Sequence, residues 1–269
     1  MTNEGRGKTA LVTGASAGIG EAFARELAAH GFDVVLTARR LERLETLAAE
    51  LEAKYAVRTL CIAEDLADPT SPDRIVGRVR AAGMEVDFLL NNAGYGVPGS
   101  FVDAGWHEHA NFIQVLVTSG VHLAHLALPR MVERGFGRIV NVASVAGLLP
   151  GSAGHTLYGA SKSFMIKFAQ SIALEHAGTD VTATAVCPGF TYSEFHDVVG
   201  TREQVSKLPS FAWMTSAEVA AEGYAAAMRK DVVWVNGPFN KGVALLAKLL
   251  PDGIALRMMA KQSGSFRKR

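Results

Sequence analysis

This chain of 269 residues has few cysteines, no long apolar run and nearly equal numbers of basic and acidic residues. The only two cysteines, Cys61 and Cys187, stand far apart among apolar neighbours, which predicts reduced core side chains rather than a disulfide framework. No run of 18 apolar residues occurs, so we expect no transmembrane helix. Residues 1–8 have no apolar stretch that resembles a secretory signal, and we therefore expect a cytoplasmic protein.

The formal net charge of +1 conceals two parts of opposite sign. Residues 241–269 hold seven Lys or Arg against Asp252, a net +6, and residues 1–240 hold 20 basic and 25 acidic residues, a net −5. An acidic body lacks the cations that displace counterions from phosphates, so we expect no nucleic-acid binding. The segment 241–269 predicts a basic amphipathic helical extension with a break at Pro251. We expect it to cover the substrate cleft or a subunit interface, and the alternative is peripheral attachment to anionic membrane.

Short aliphatic segments alternate with segments of helical period along the rest of the chain. With 49% hydrophobic and 20% charged residues, residues 1–240 fit one α/β domain built on a parallel sheet. The predicted strands are residues 9–13, 33–37, 58–63, 86–91, 138–144, 181–186 and 232–235. A helix is predicted over 18–30, and Thr215 with Glu218 fits a capping box before a helix over 219–228. Residues 190–214 form a long loop rich in aromatic residues, which is typical of a substrate loop.

A glycine-rich turn joins the first predicted strand to the first helix. Gly14, Gly18 and Gly20, with Ser16 and Ile19 between them, allow a tight turn where a pyrophosphate can approach N–H groups at a helix N-terminus. The same residues satisfy the G-x-S-x-G pattern of a hydrolase nucleophile. Only one strand precedes Ser16, so the earlier loop that would donate to an oxyanion is missing, and we favour a dinucleotide site.

Three polar side chains in the second half of the chain have the types needed for proton transfer. Ser144 closes the fifth predicted strand, and Tyr158 and Lys162 are spaced i, i+4 on a predicted helix. A neighbouring cation stabilises a phenolate and lowers its pKa, so we expect Tyr158 to exchange a proton with a hydroxyl or carbonyl oxygen.

Together these motifs resemble the short-chain dehydrogenase/reductase family. The resemblance covers most of residues 8–235 and rests on Thr13-Gly14-x-x-x-Gly18-x-Gly20, Asn91-Asn92-Ala93-Gly94, Ser144, Tyr158-x-x-x-Lys162 and Pro188-Gly189. It implies a single Rossmann-type, doubly wound parallel sheet of seven strands in the order 3-2-1-4-5-6-7, a nicotinamide cofactor and a homodimer or homotetramer formed through helices 103–131 and 158–176.

The resemblance also implies a role for each matching residue. Tyr158 is the general acid or base, Ser144 holds the reacting oxygen, and Lys162 lowers the Tyr158 pKa and holds the nicotinamide ribose. The remaining residues implied to contact the cofactor are Asp65 and Leu66 at the adenine, Asn92, Ala93 and Gly94 in the cleft, and Pro188, Gly189, Thr191 and Ser193 at the nicotinamide.

One position departs from the family pattern. An ungapped alignment on Leu128-Pro129 places Leu116 where the family carries an Asn that holds a water serving Lys162. Asn111 and Gln114 are the candidate replacements. This departure motivates an alternative function, a non-enzymatic NADP-binding sensor or scaffold on the same fold.

Cofactor and substrate are predicted from the remaining side chains. The second strand ends in Thr-Ala-Arg-Arg without an acid, so Arg39, helped by Arg40 and Ser16, favours the 2′-phosphate of NADP(H) over NAD(H). An apolar bias predicts a hydrophobic carbonyl or alcohol substrate. The substrate-lining candidates are Leu149, His155, Tyr192, Phe195 and Trp213. The histidines at 107, 109, 122 and 125 lack an evident third ligand, and we expect no metal site.

Overall fold

The computed structural model describes residues 3–97, 99–154, 156–192 and 209–263. Its strands are β1 (Thr9–Thr13), β2 (Asp33–Ala38), β3 (Thr59–Ala63), β4 (Val86–Asn91), β5 (Gly137–Val142), β6 (Val181–Cys187), β7 (Phe190–Tyr192), β8 (Trp213–Thr215) and β9 (Val233–Val235). Its α-helices are α1 (Gly18–Ala29), α2 (Leu41–Tyr55), α3 (Ser71–Ala81), α4 (Trp106–Ile113), α5 (Ser119–Arg134), α6 (Thr156–Glu175), α7 (Ser216–Met228), α8 (Pro238–Leu249) and α9 (Asp252–Ser263).

Seven strands form one parallel sheet in the order β3-β2-β1-β4-β5-β6-β9. The predicted sheet is confirmed, and the predicted seventh strand is β9. Two short strands, β7 and β8, lie between β6 and β9 in the sequence, at the two ends of the predicted loop 190–214. They pair in parallel and form a small separate sheet. The carboxyl ends of β1, β2, β4, β5 and β6 lie along one edge of the large sheet, where ligands bind in open α/β folds.

Helices cover both faces of the large sheet, as in a doubly wound fold. In β1, Ala10 and Val12 join a core with α1, α2 and α7 on one face, and Leu11 joins a core with α3, α5 and α6 on the other. Alternating side chains of a strand point to opposite faces, so a strand buried on both sides is apolar throughout. The continuous apolar runs of the sequence therefore mark the sheet's central strands.

The predicted strand ends are wrong by one or two residues at several positions. The fifth strand begins at Gly137 and ends at Val142, so Ser144 lies beyond it rather than closing it. Ser144 caps a 3₁₀ turn over Val145–Gly147 instead, because its Oγ accepts a hydrogen bond from the Ala146 N–H at 3.1 Å. The capping box predicted before α7 is confirmed, with Thr215 and Glu218 bonded reciprocally.

The stretch from Trp106 to Arg134 is helical throughout, with a π-helical turn over Gln114–Thr118 between α4 and α5. Among the described residues it is the one stretch whose 29-residue length and mean hydropathy of 1.4 would allow a membrane span. Leu123, Ala127 and Met131 of α5 are buried in the core against the sheet. A core helix of a globular domain has this composition for that reason.

Several large apolar side chains of the two C-terminal helices are exposed to solvent. The break predicted at Pro251 separates α8 from α9. In α8, Leu245, Leu246 and Leu249 have exposed fractions of 58%, 52% and 72%. Residues 3–97, 99–154, 156–192 and 209–263 therefore leave this face open to solvent.

Candidate active site

Three positions of the turn between β1 and α1 require glycine. Gly14 and Gly18 have φ of +66° and +59°, a region that L side chains rarely adopt. A Cβ on Gly20 would lie 2.3 Å from the Gly14 carbonyl oxygen, and one on Gly14 would lie 2.7 Å from Asn92 Nδ2. Within the described part of the chain no side chain caps α1 at Ala17. The first N–H groups of α1 therefore remain available to an anion, and the turn fits a dinucleotide pyrophosphate.

The segment after β4 is bonded to the glycine turn. Thr13 Oγ1 accepts the N–H groups of Asn92 at 2.9 Å and of Ala93 at 3.1 Å, and Asn92 Nδ2 donates to the Thr13 carbonyl oxygen at 2.9 Å. Gly94 packs on Leu116, whose Cγ would lie 3.3 Å from a Cβ there. The residues predicted to line the cofactor cleft therefore lie together, and Asn92 positions the turn itself.

Two arginines lie at the carboxyl end of β2, beside the glycine turn. The Arg40 guanidinium donates to Ser16 Oγ through Nη2 at 3.0 Å and Nε at 3.2 Å. The Arg39 side chain is 77% exposed, and its Nη1 lies 4.0 Å from the Asp65 carboxylate. Leu66, after Asp65, is buried. The structure thus brings the three residues predicted to hold a 2′-phosphate to one edge of the cleft.

Ser144 and Tyr158 meet where β5 ends and α6 begins. Ser144 Oγ donates to the Pro188 carbonyl oxygen at 3.4 Å, and the Ser144 hydroxyl lies close enough to Tyr158 to lower the pKa of that phenol. Lys162 lies one helical turn further along α6, with Nζ 5.6 Å from the centre of the Tyr158 ring. Its ammonium is buried and donates to the Val142 carbonyl oxygen at 2.8 Å. The three predicted catalytic side chains therefore form one cluster.

The two titratable groups of this cluster have pKa values displaced by burial. Burial raises the pKa of Tyr158 to about 12, opposed by its hydrogen bond with Ser144. Burial lowers the pKa of Lys162 to about 8, opposed by the neighbouring Cys187. The lowered Tyr158 pKa that the sequence predicts is not what this structure shows. The Lys162 ammonium bonds to a backbone carbonyl and lies over the phenol ring, and desolvation of the phenolate dominates.

The chain after β6 carries residues predicted to contact the nicotinamide and the substrate. Thr191 is buried, and its Oγ1 donates to the Gly189 carbonyl oxygen at 3.2 Å. Tyr192 stacks on Trp213 at 4.7 Å between ring centres, across the small sheet. Leu149 is half-buried in the turn after Ser144. The predicted site residues His155, Ser193 and Phe195 lie outside the described residues.

Further residues that lie beside Tyr158 were not predicted from the sequence. A cavity beside Tyr158 is also lined by Val97, Phe101 and Phe112. The signal available was position, because residues 97–101 follow the Asn91–Gly94 motif at the ligand-binding edge of the sheet. His109 also lines this cavity, and its Nε2 lies 2.8 Å from the Phe101 carbonyl oxygen. Across the described ranges, no three potential metal ligands form a group.

The two proposed replacements for the family Asn do not reach Lys162. Leu116 itself is buried in the π-helical turn. Asn111 Nδ2 lies 3.0 Å from His107 Nε2, and Gln114 Nε2 donates to Ser119 Oγ at 2.9 Å. Neither residue lines the cavity that contains Lys162, so the structure gives no support to the expectation that one of them replaces the family Asn.

Comparisons with known proteins agree with this geometry. The family model described as short chain dehydrogenase matches residues 8–204. Nodulation protein G of Rhizobium sp. (strain N33) is 38% identical over 246 residues, which are 86% of this chain and 96% of that protein.

Two solved structures share the fold over nearly the whole chain. One, from work on 7beta-hydroxysteroid dehydrogenase stereoselectivity, is 26% identical with a TM-score of 0.85 and covers 96% of this chain and 99% of its own. A short-chain dehydrogenase from Sphingobium yanoikuyae in complex with NADPH is 31% identical with a TM-score of 0.79, covering 94% of each chain. The chain therefore belongs to the short-chain dehydrogenase family of oxidoreductases, which use a nicotinamide dinucleotide.

Proposed function

We propose that the protein is an NADP(H)-dependent reductase of an apolar ketone or aldehyde. The observation that carries the proposal is the cluster of Ser144, Tyr158 and Lys162 at the sheet edge that also holds the glycine turn. Two hydroxyl groups that converge on one point suit an oxygen that gains negative charge during the reaction.

The bound nicotinamide supplies or accepts the hydride, and the protein manages the proton. A phenol with a pKa near 12 is protonated at neutral pH, so Tyr158 is a proton donor in this structure. Carbonyl reduction needs that form, because the former carbonyl oxygen must take up a proton. Ser144 donates a second hydrogen bond to the same oxygen and fixes its position. The reverse reaction would require the phenolate, which burial disfavours here.

The phosphate preference rests on the arginines at the end of β2. Planar guanidinium groups hold phosphate oxygens in bidentate pairs, and Arg40 is already fixed on Ser16 beside the turn. The Arg39 side chain is exposed, and its Nη1 lies 4.0 Å from the Asp65 carboxylate. A rotation of this side chain would bring the guanidinium to a 2′-phosphate. A relative with NADPH bound supports this assignment. NAD(H) remains the alternative cofactor.

The apolar character of the substrate is supported by both walls of the cleft. Tyr192 and Trp213 form one wall, and Phe101 and Phe112 line the cavity at Tyr158 on the other. Aromatic walls bind an apolar molecule by removing its surface from water. The structural relative that covers 96% of this chain comes from work on a 7beta-hydroxysteroid dehydrogenase, and steroids are bulky and largely apolar molecules.

We also propose that the protein assembles as a homodimer or homotetramer. The helices expected at the interface carry large exposed apolar side chains, with Trp106 at 72%, Phe164 at 47% and Leu174 at 76%. Exposed apolar patches of this kind are typical of interaction surfaces. The uncovered face of α8 fits a further contact between subunits, and attachment to an anionic membrane is its alternative.

Turnover with a substrate panel tests the proposal. Purified protein is mixed with NADPH and apolar aldehydes and ketones, and NADPH consumption is followed. We expect consumption that Tyr158→Phe abolishes and that Tyr55→Phe, which removes a phenol at the far end of α2, leaves unchanged. Tight NADPH binding without turnover of any panel member would overturn the reductase and favour the sensor or scaffold, the function that Leu116 suggests.

A further inference from the structure

A buried amide at the end of β4 has one atom that the fold leaves unsatisfied. Asn91 Nδ2 donates to the Gly120 carbonyl oxygen at 3.1 Å and to Asn141 Oδ1 at 3.0 Å. Asn141 is oriented in turn because its Nδ2 donates to the Met165 carbonyl oxygen at 3.2 Å. The acceptors therefore fix which way each amide points. Asn91 Oδ1 has no hydrogen-bond partner among the residues described, although Asn91 is only 8% exposed.

This side chain shares a small cavity with Lys162. The cavity has a volume of about 10 Å³ and is lined by Asn91, Lys162, Leu116, Val142 and Met165 among others. A single water molecule needs roughly 10–15 Å³ of such space and two to four polar partners. An ammonium carries three N–H donors, one of which Lys162 gives to Val142, and Asn91 supplies a carbonyl acceptor. The cavity thus has the size and the polar groups of a water site.

Because Leu116 stands where the family carries an Asn, the Asn91 amide is the candidate to hold a water at Lys162. Leu116 contributes an apolar side chain to the cavity wall, packed against Gly94. It cannot hold a water at Lys162, and Asn111 and Gln114 are bonded elsewhere. Asn91 lines the same cavity from the end of β4.

We infer that Asn91 Oδ1 and Lys162 Nζ share a water molecule through which Lys162 exchanges protons with solvent. The inference rests on the proposed reductase function. After Tyr158 has given its proton to the substrate oxygen, Lys162 passes a proton toward the phenolate and regains one from the water, which is replenished from solvent. Asn91 is then a positioning residue, since it acts by holding the water and touches neither substrate nor cofactor.

Two measurements test the inference. The first is a crystal structure of the full chain with NADPH, in which we expect an ordered water within hydrogen-bond distance of both Asn91 Oδ1 and Lys162 Nζ. The second compares Asn91→Leu with the double variant Asn91→Leu, Leu116→Asn. We expect Asn91→Leu to lower kcat by about tenfold or more, with the NADPH dissociation constant unchanged, because Asn91 only positions the water and a group that itself transfers a proton contributes roughly 10²–10⁴-fold. The solvent deuterium isotope effect on kcat should rise, and Leu116→Asn should restore most of the loss.

Thr184→Val serves as the matched control. Thr184 is buried in β6, and its Oγ1 also has no partner within the described part of the chain. Its neighbours Ala183 and Ala185 pack with α6, so the Thr184 side chain lies on the other face of the sheet from Lys162. We expect it to keep the parent kcat and isotope effect. Urea unfolding of each variant identifies any loss of kcat that follows from lost stability alone.

Several results would overturn the inference. An empty cavity in the crystal structure would do so, as would an unchanged kcat in Asn91→Leu. A loss of kcat that Leu116→Asn does not restore, with a parallel loss of NADPH affinity, would indicate a structural role only. Absence of turnover in the parent would instead overturn the proposed function, and the crystal structure would still decide the water site.

Discussion

Adding one methyl group to the glycine turn should damage cofactor binding more than any surface change. In Gly20→Ala the new Cβ would lie 2.3 Å from the Gly14 carbonyl oxygen and 2.5 Å from Asn92 Nδ2. The first atom is backbone, and the second is a side-chain nitrogen that donates to the Thr13 and Gly14 carbonyl oxygens, so the turn itself must move. Overpacking of this kind costs about 1–3 kcal/mol. Where NADPH needs the undisplaced turn, the same free energy weakens binding by roughly 5- to 150-fold.

Fluorescence titration with NADPH and urea unfolding measure the two consequences separately. Gly77→Ala is the matched control, because Gly77 lies within α3 with nothing within 4 Å of its Cβ position. Alanine there should stabilise the chain by about 0.5–1 kcal/mol and leave NADPH binding unchanged. If Gly20→Ala bound NADPH as the parent does and unfolded at the same urea concentration, the close contact would not constrain the turn and our reasoning would fail.

Further predictions concern charge, pH and assembly. Arg39→Glu should weaken NADPH far more than NADH in paired titrations, and equal losses would refute the phosphate assignment. Lys162 has its pKa lowered to about 8 from an ordinary 10.5, so the stability of the parent relative to Lys162→Met, measured by urea unfolding, should rise with pH between these values, by at most about 1.4 kcal/mol per pH unit. A stability difference between parent and Lys162→Met that is flat over this window would contradict the shift. Leu249→Ser should reduce the assembly measured by light scattering if α8 is a subunit contact, and should reduce flotation with anionic liposomes instead if α8 binds membrane.

Much of the fold could be predicted because parallel strands buried on both faces leave an unmistakable pattern. The apolar runs at β1 and β4 were placed to the residue, since side chains on both faces are buried there. The small sheet of β7 and β8 could not be predicted, because each strand has three residues and their pairing joins positions more than 20 residues apart. Local pattern carries no information about such a contact.

The site could be predicted where its chemistry depends on residue type and spacing. The i, i+4 spacing of Tyr158 and Lys162 predicts that they lie on one face of a helix, and the small residues of the glycine turn predict a tight turn. The direction of the Tyr158 pKa could not be predicted, because it depends on burial and on where the Lys162 ammonium bonds. The orientation of Asn91 was equally hidden, since it follows from acceptors on α5 and β5 that only the fold brings together.

Deuterium transfer from labelled cofactor tests the central claim most directly. The protein is incubated with NADPH carrying deuterium at the reactive carbon and an apolar ketone, and the alcohol product is analysed by mass spectrometry. We predict one deuterium on the carbinol carbon with the parent protein and none with Tyr158→Phe. A parent protein that binds NADPH but forms no labelled alcohol from any ketone or aldehyde of the panel would contradict the account.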